Sequence, residues 1–296
     1  MKDVIATGLE VPEGPVVLPD GRIAFVEQVR GQVSVYDGTS VHCLAMVGGA
    51  ANAVTLGLDA LYAAQNGGVV GAWRSDDPRT PGIQRVYLDG RVEYVTTDVA
   101  GQPLLAPNDL CFGADGRLWF TDPGHPYDPL RRGANGRLIA IGRGRDEIVA
   151  DVGPVYCNGL AFGVDGRLVW VESYGRYVCR LGEGGREVLC QLPENHVPDG
   201  LAVAADGRMF VATLTSTGIT VVGPDGEVLD LIELDEAALP TNCCFDGSAL
   251  WVTDFGRDYE NLPGRGRLWR VETDAVGAAV AMGAVQPRRE AGPHVW

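Results

Sequence analysis

The chain has 296 residues, a hydrophobic fraction of 46% and a charged fraction of 21%, which suffices for a sizeable core in one or two domains. Its formal net charge is −15 and its 24 basic residues are scattered singly or in pairs, which excludes a nucleic-acid surface built from clustered Lys and Arg. Glycine contributes 41 residues, about twice the usual share, so many tight turns are expected.

The opening stretch MKDVIATGLEVPEGP has no apolar signal region, and no run approaches the roughly 18 apolar residues of a spanning helix. Neither export nor membrane insertion is therefore expected. Seven Cys (43, 111, 157, 179, 190, 243 and 244) are odd in number, lack metal-finger spacing and sit mostly in apolar runs. Reduced, buried thiols in a cytoplasmic protein are the expectation.

In chain order, a first strand near VIATGL is followed by a unit that recurs six times. Each unit opens on a turn and an alternating apolar strand: PDGRIAFVE (19–27), GLDALYAAQ (57–65), ADGRLWFTD (114–122), VDGRLVWVE (164–172), ADGRMFVAT (205–213) and FDGSALWVT (245–253). Five of the six carry Asp-Gly, which suits the positive φ of a hairpin turn. A second hairpin follows each time, as in GIQRVYLDGRVEYVT, so a period holds about four strands. The turn aspartates, or their equivalents, fall at 20, 59, 115, 165, 206 and 246.

A four-stranded repeat of about 40 residues is a propeller blade, and six blades close a ring without exposed edges. The expectation is an all-β, six-bladed β-propeller of four antiparallel strands per blade, with residues 1–296 as one domain and VIATGL completing the last blade. The segment 231–240 offers at most a turn or two of helix, and longer loops interrupt the repeats at 67–82 and 123–136.

Before each turn lies an innermost strand, and polar residues cluster there in apolar surroundings: VPEGPVV (11–17), APNDLCF (106–112), YCNGLAF (156–162), VPDGLAV (197–203) and PTNCCF (240–245). Glu13, Asn108, Asn158 and Asp199 each lie seven residues before their turn Asp, a shared register that aims four oxygen-bearing side chains at the propeller axis. Two carboxylates and two amides suit a hard divalent cation, Ca²⁺ foremost, with Mg²⁺, Mn²⁺, Zn²⁺ or Fe²⁺ also compatible. Asn242 lies only four residues before Asp246 and fits a strand cap or a channel-lining residue equally.

The motifs EGP (13–15), NDL (108–110), NGL (158–160), PDGLAV (198–203) and PTNCCF with WVTDFGRD (240–258), in that order, make the chain resemble the senescence-marker-protein/gluconolactonase family of regucalcin-type lactonases over essentially its whole length. The resemblance implies that Glu13, Asn158 and Asp199 bind a divalent metal, with Asn108 close to the metal and to the substrate. It also implies a small-molecule lactone as substrate. The family's sugar-lactone hydrolases often carry Arg two residues before the Asn of NDL; Ala106 stands there, which hints at a less polar substrate. His125 falls near a position where some relatives place a polar substrate contact, Asn66 where relatives carry a small polar motif at the mouth, and both are candidate substrate contacts; Tyr127 shares the loop of His125, and Trp73 on the other long loop could wall the pocket.

The expected chemistry is hydrolysis of a lactone with its carbonyl polarised by the metal, Asp199 activating water and Asn108 orienting substrate. A phosphotriester hydrolase on the same metal site, a non-catalytic binding propeller and a strictosidine-synthase-like condensing enzyme are the competing readings. Oligomeric state is left open.

Overall fold

The structure is a computed structural model that describes residues 1–128, 130, 133–257 and 264–288. Asp258, the last residue of the WVTDFGRD motif, lies outside the described residues.

Six four-stranded antiparallel sheets form, as the repeats require. Blade 1 holds Pro12–Val17, Ile23–Glu27, Gln32–Tyr36 and Val41–Met46; blade 2 holds Ala51–Leu56, Leu61–Gln65, Gly82–Val86 and Val92–Thr96. Blade 3 holds Leu110–Phe112, Leu118–Asp122, Gly136–Ile141 and Glu147–Gly153, and blade 4 Cys157–Phe162, Leu168–Glu172, Tyr177–Gly182 and Gly185–Gln191. Blade 5 holds Pro198–Val203, Met209–Thr213, Gly218–Val222 and Val228–Glu233. Blade 6 joins Pro240–Asp246, Ala249–Asp254 and Gly266–Glu272 to the N-terminal strand Lys2–Leu9, which closes the ring through Lys2↔Val271 to Leu9↔Gly266. The innermost strand of each blade packs beside those of its two neighbours, so the ring is continuous.

The second strand of every blade is buried along its whole length, because both of its faces meet an adjacent blade. Apolar layers between blades supply the core, for example Val26, Val33, Ala51 and Ala63 between blades 1 and 2. The Asp-Gly turns take the conformation that the dipeptide favours, with Gly21 at φ 85° and Gly207 at φ 89°.

Residues 273–288 form a strap across the face that carries these turns. Ala204 bridges Gly277, Phe112 bridges Ala281, Gly283 accepts from Leu58 N, and Val285 is clasped by the Tyr62 hydroxyl. Arg288 then pairs with Asp98 and Asp146.

One sequence expectation is corrected. Cys43 is exposed, and Cys111, Cys190 and Cys244 are half-buried at the margins of the clusters between blades; all seven cysteines are free thiols. The segment after Glu233 makes a turn and no α-helix, within the turn or two at most that the sequence offered: Ala237 N donates to the Asp235 carboxylate, Ala238 N to the Asp235 carbonyl, and Leu239 N to Asp254. No helix among the described residues is long and apolar enough to cross a membrane.

Candidate active site in the propeller channel

In four blades the loop entering the innermost strand is held from below by a buried polar residue ending the second strand of the same blade. Glu27 accepts from Glu10 N (2.9 Å), Gln65 from Ala50 N (3.0 Å), Asp122 from Leu105 N (3.0 Å) and Ala106 N (2.9 Å), and Asp254 from Leu239 N (2.8 Å). Each clamp sits two or three residues before Glu13, Asn52, Asn108 or Asn242. The clamps are themselves braced, Asp122 by Arg137 (2.5 Å) and Asp254 by Arg267 (2.7 Å).

Beyond the clamp the innermost strands bulge. Pairing with the second strand shifts register between Glu13 and Val16, Ala51 and Ala53, Cys157 and Leu160, and Pro198 and Leu201. A bulge leaves a residue unpaired and re-aims its side chain, here toward the axis. Val11 and Tyr156, two residues before Glu13 and Asn158, hold positive φ of 56° and 54°; for a β-branched Val this is strained backbone beside the site. Glycine follows three of the site residues because neighbouring strands press together there: a Cβ on Gly14 would lie 2.4 Å from Ala53 Cα, and one on Gly159 2.5 Å from Asp199 O.

Glu13, Asn108, Asn158 and Asp199 are all buried and line one cavity of about 340 Å³ on the face opposite the strap. The register therefore brings together the four residues it singled out. Asn158 donates from Nδ2 to Ser173 Oγ (3.1 Å) and lies beside Asp199, whose ionised form it favours; Ser173 in turn donates to Pro198 O (2.8 Å). Asn108 lies beside Tyr156, and its Oδ1 is buried with no partner.

Two further channel residues escaped the sequence reading. Asn52 of blade 2 lines the cavity and accepts from Gln28 Nε2 (3.1 Å). It too lies seven residues before its turn residue, Asp59, so the same count would have found it. Asp109 stands where three other blades carry glycine, and its buried carboxylate accepts from Asn242 Nδ2 (3.0 Å) and Leu110 N (3.2 Å). The departure from glycine was its only signal. Asn242 is thus a buried brace rather than a strand cap.

These three carboxyl groups have no ion-pair partner among the described residues, and burial governs their protonation. Burial, then the charge of Asp109, pushes Asp199 up to about 8; burial raises Asp109 to about 6; burial, followed by Asp199 and Asp109, raises Glu13 well above the usual carboxyl range. No three His, Cys, Asp or Glu side chains form a tight metal-holding group among the described residues, so a cation here must draw on amide oxygens. The orphaned Asn108 Oδ1 and the uncompensated carboxylates fit that requirement: they are hard oxygen donors lacking positive charge.

The loop residues divide. Tyr127 and Asn66 line the cavity, but Asn66 is engaged with its own turn, accepting from Gly68 N (3.0 Å) and donating to Val69 O (3.3 Å). His125 stands behind the wall, stacked on Tyr174 at 6.2 Å and edge-on to Tyr156 at 5.8 Å, with Nδ1 2.6 Å from Pro126 O. Trp73 is half-buried behind Val70, against a cluster that includes Val11, Ala50 and Phe255.

The chain is a six-bladed propeller with an acidic, amide-lined pocket on its axis. The chain belongs to the SMP-30/Gluconolactonase/LRE-like family, whose profile matches residues 11–256. A gluconolactonase of Zymomonas mobilis is 28% identical over 204 residues, 60% of this chain and 56% of that protein, so the match spans little more than half of the relative's length. Solved structures share the fold: a gluconolactonase of Xanthomonas campestris (TM-score 0.73, 23% identity, 92% of this chain and 89% of that one) and a calcium-binding protein, regucalcin, of Agrobacterium tumefaciens (TM-score 0.73, 17% identity, 97% of each chain).

Proposed function

We propose that the channel hydrolyses a lactone with the help of one divalent cation, Ca²⁺ foremost, held by Glu13, Asn108, Asn158 and Asp199. The observation that carries this reading is the set of buried carboxylates without positive partners beside an unpartnered amide oxygen, in a cavity of substrate size. Family membership and the gluconolactonase relative favour the same chemistry. The cation, when bound, supplies a Lewis acid for the carbonyl and positive charge that keeps the carboxylates ionised.

The residues do the rest. Asp199 accepts a proton from the attacking water as its oxygen bonds to the carbonyl carbon, and returns it to the ring oxygen when the C–O bond breaks, giving a hydroxy acid. Asn158, beside Asp199, favours its ionised carboxyl, and Ser173 locks that amide. Asn108, beside Tyr156, offers its unpartnered Oδ1. Burial excludes bulk water and strengthens each of these interactions.

Proton release from lactones by purified protein, with Ca²⁺, Mg²⁺, Mn²⁺ or Zn²⁺ added after chelation, tests the proposal. Cation-dependent turnover is expected. Turnover of an aryl phosphotriester alone would transfer the site to phosphotriester chemistry, and no cation binding by calorimetry would revive the non-catalytic reading.

A further inference from the structure

Resting on the lactonase reading, we propose that this pocket selects uncharged lactones bearing an alkyl or aryl substituent and disfavours polyhydroxylated and anionic ones.

The floor and the wall of the cavity differ in kind. Above the acidic floor, the wall is made by Val70, Leu214, Leu239, Phe255, Tyr127 and Tyr156, each drawn from a different one of six blade junctions or insertions. Three of the six are aliphatic and three aromatic, a surface that gains by covering apolar substrate. Its polar side chains are engaged elsewhere. Asn66 serves its own turn, Gln28 donates to Asn52, Thr215 donates to Asn195 O (2.7 Å), and Ser173 to Pro198 O. A sugar ring placed here would lose water from several hydroxyls and find few partners to replace it, a cost that an alkyl chain does not incur.

Charge points the same way. No Lys, Arg or His lines the cavity among the described residues, and Ala106 presents a methyl group beside Asn108. Glu13 and Asp199 are the charged side chains on the floor, and together they already balance one divalent cation. A phosphate or carboxylate on the substrate would then find no counter-charge left over. The volume, about 340 Å³, lies in the range of small-molecule sites and admits a six-membered ring with a short tail.

The test compares kcat/KM for pentyl-substituted δ-valerolactone and dihydrocoumarin with that for glucono-δ-lactone and its phosphorylated form, using unsubstituted δ-valerolactone as the reference. The substituted lactones should exceed the sugar lactone by about tenfold to a hundredfold, and the phosphorylated lactone should be the poorest. In Val70→Ser and Tyr127→Ala the advantage should shrink through a raised KM for the substituted lactones. A sugar lactone that equals or outruns the alkyl lactones overturns the proposal, as does an unchanged ratio in both variants. Should no lactone be hydrolysed at all, the hydrolase reading falls, and calorimetric binding of a pentyl-substituted δ-lactam against gluconolactam still decides the pocket's preference: tighter alkyl-lactam binding upholds it, equal or weaker binding overturns it.

Discussion

Asn242 Nδ2 donates to Asp109 Oδ2 across 3.0 Å, tying blade 6 to blade 3 through residues 133 positions apart. Asn242 also lies close enough to Glu13 to favour its ionised carboxyl, so one amide acts on two of the three channel acids. Removing it in Asn242→Ala leaves Asp109 without its side-chain donor in a buried setting. Urea unfolding should show a loss of about 1–3 kcal/mol, and cation affinity should fall with it. A variant as stable as the parent would separate the brace from the site.

The channel acids make stability depend on pH in an unusual direction. Asp199, held up to about 8, and Asp109, at about 6, keep protons in the folded state that an unfolded chain, with its Asp near 3.8, has already released. Between those limits the native state binds more protons, so unfolding free energy falls as pH rises. The metal-free protein should therefore melt progressively lower from pH 5 to pH 8. A bound divalent cation should flatten the slope, and Asp199→Asn should reduce it. Scanning calorimetry across that interval checks the sign; a melting temperature that climbs with pH refutes the account.

Catalysis and stability should part company at the same positions. Asp199→Asn and Glu13→Gln should each lower cation-dependent lactone turnover by about a hundredfold or more. Because each removes a buried acid without an ion-pair partner, neither should destabilise the metal-free fold at pH 8, and each should raise its melting temperature slightly. Retention of most of the activity in either variant would mean that the roles are misassigned.

Asp122 illustrates how the scaffold holds the site. It accepts from Leu105 N, Ala106 N and Gly124 N and pairs with Arg137, all within the buried edge of blade 3. Asp122→Ala strands both the guanidinium and the amides leading to Asn108. A destabilisation of about 3–5 kcal/mol is expected by chemical denaturation, with a reduced kcat even at temperatures where the variant is folded.

The strap offers a contrast, since it lies on the far face. The Tyr62 hydroxyl takes the Val285 amide (2.9 Å) and donates toward Val285 O (3.2 Å) and Asp59 (3.0 Å). Tyr62→Phe should cost about 1–2 kcal/mol in unfolding experiments while kcat stays at the parental value. A marked loss of kcat would show that strap and pocket are coupled.

Blade number, strand order and the convergence of Glu13, Asn108, Asn158 and Asp199 were legible from the sequence, because a strand alternates its faces with period two and a repeated turn resets the count in every blade. Adjacent residues should then point apart, and by that rule Asp109 belongs opposite Asn108. The irregular entry to blade 3, where Asn108 N bonds Thr121 O and Thr121 N bonds Asp109 O, turns both toward the channel. Only the tertiary structure decided this, along with the Asn242 brace, the strap over the turns and the retreat of His125 and Trp73 behind the wall. These features depend on contacts between distant segments and on local breaks in pairing, which a periodic pattern cannot encode.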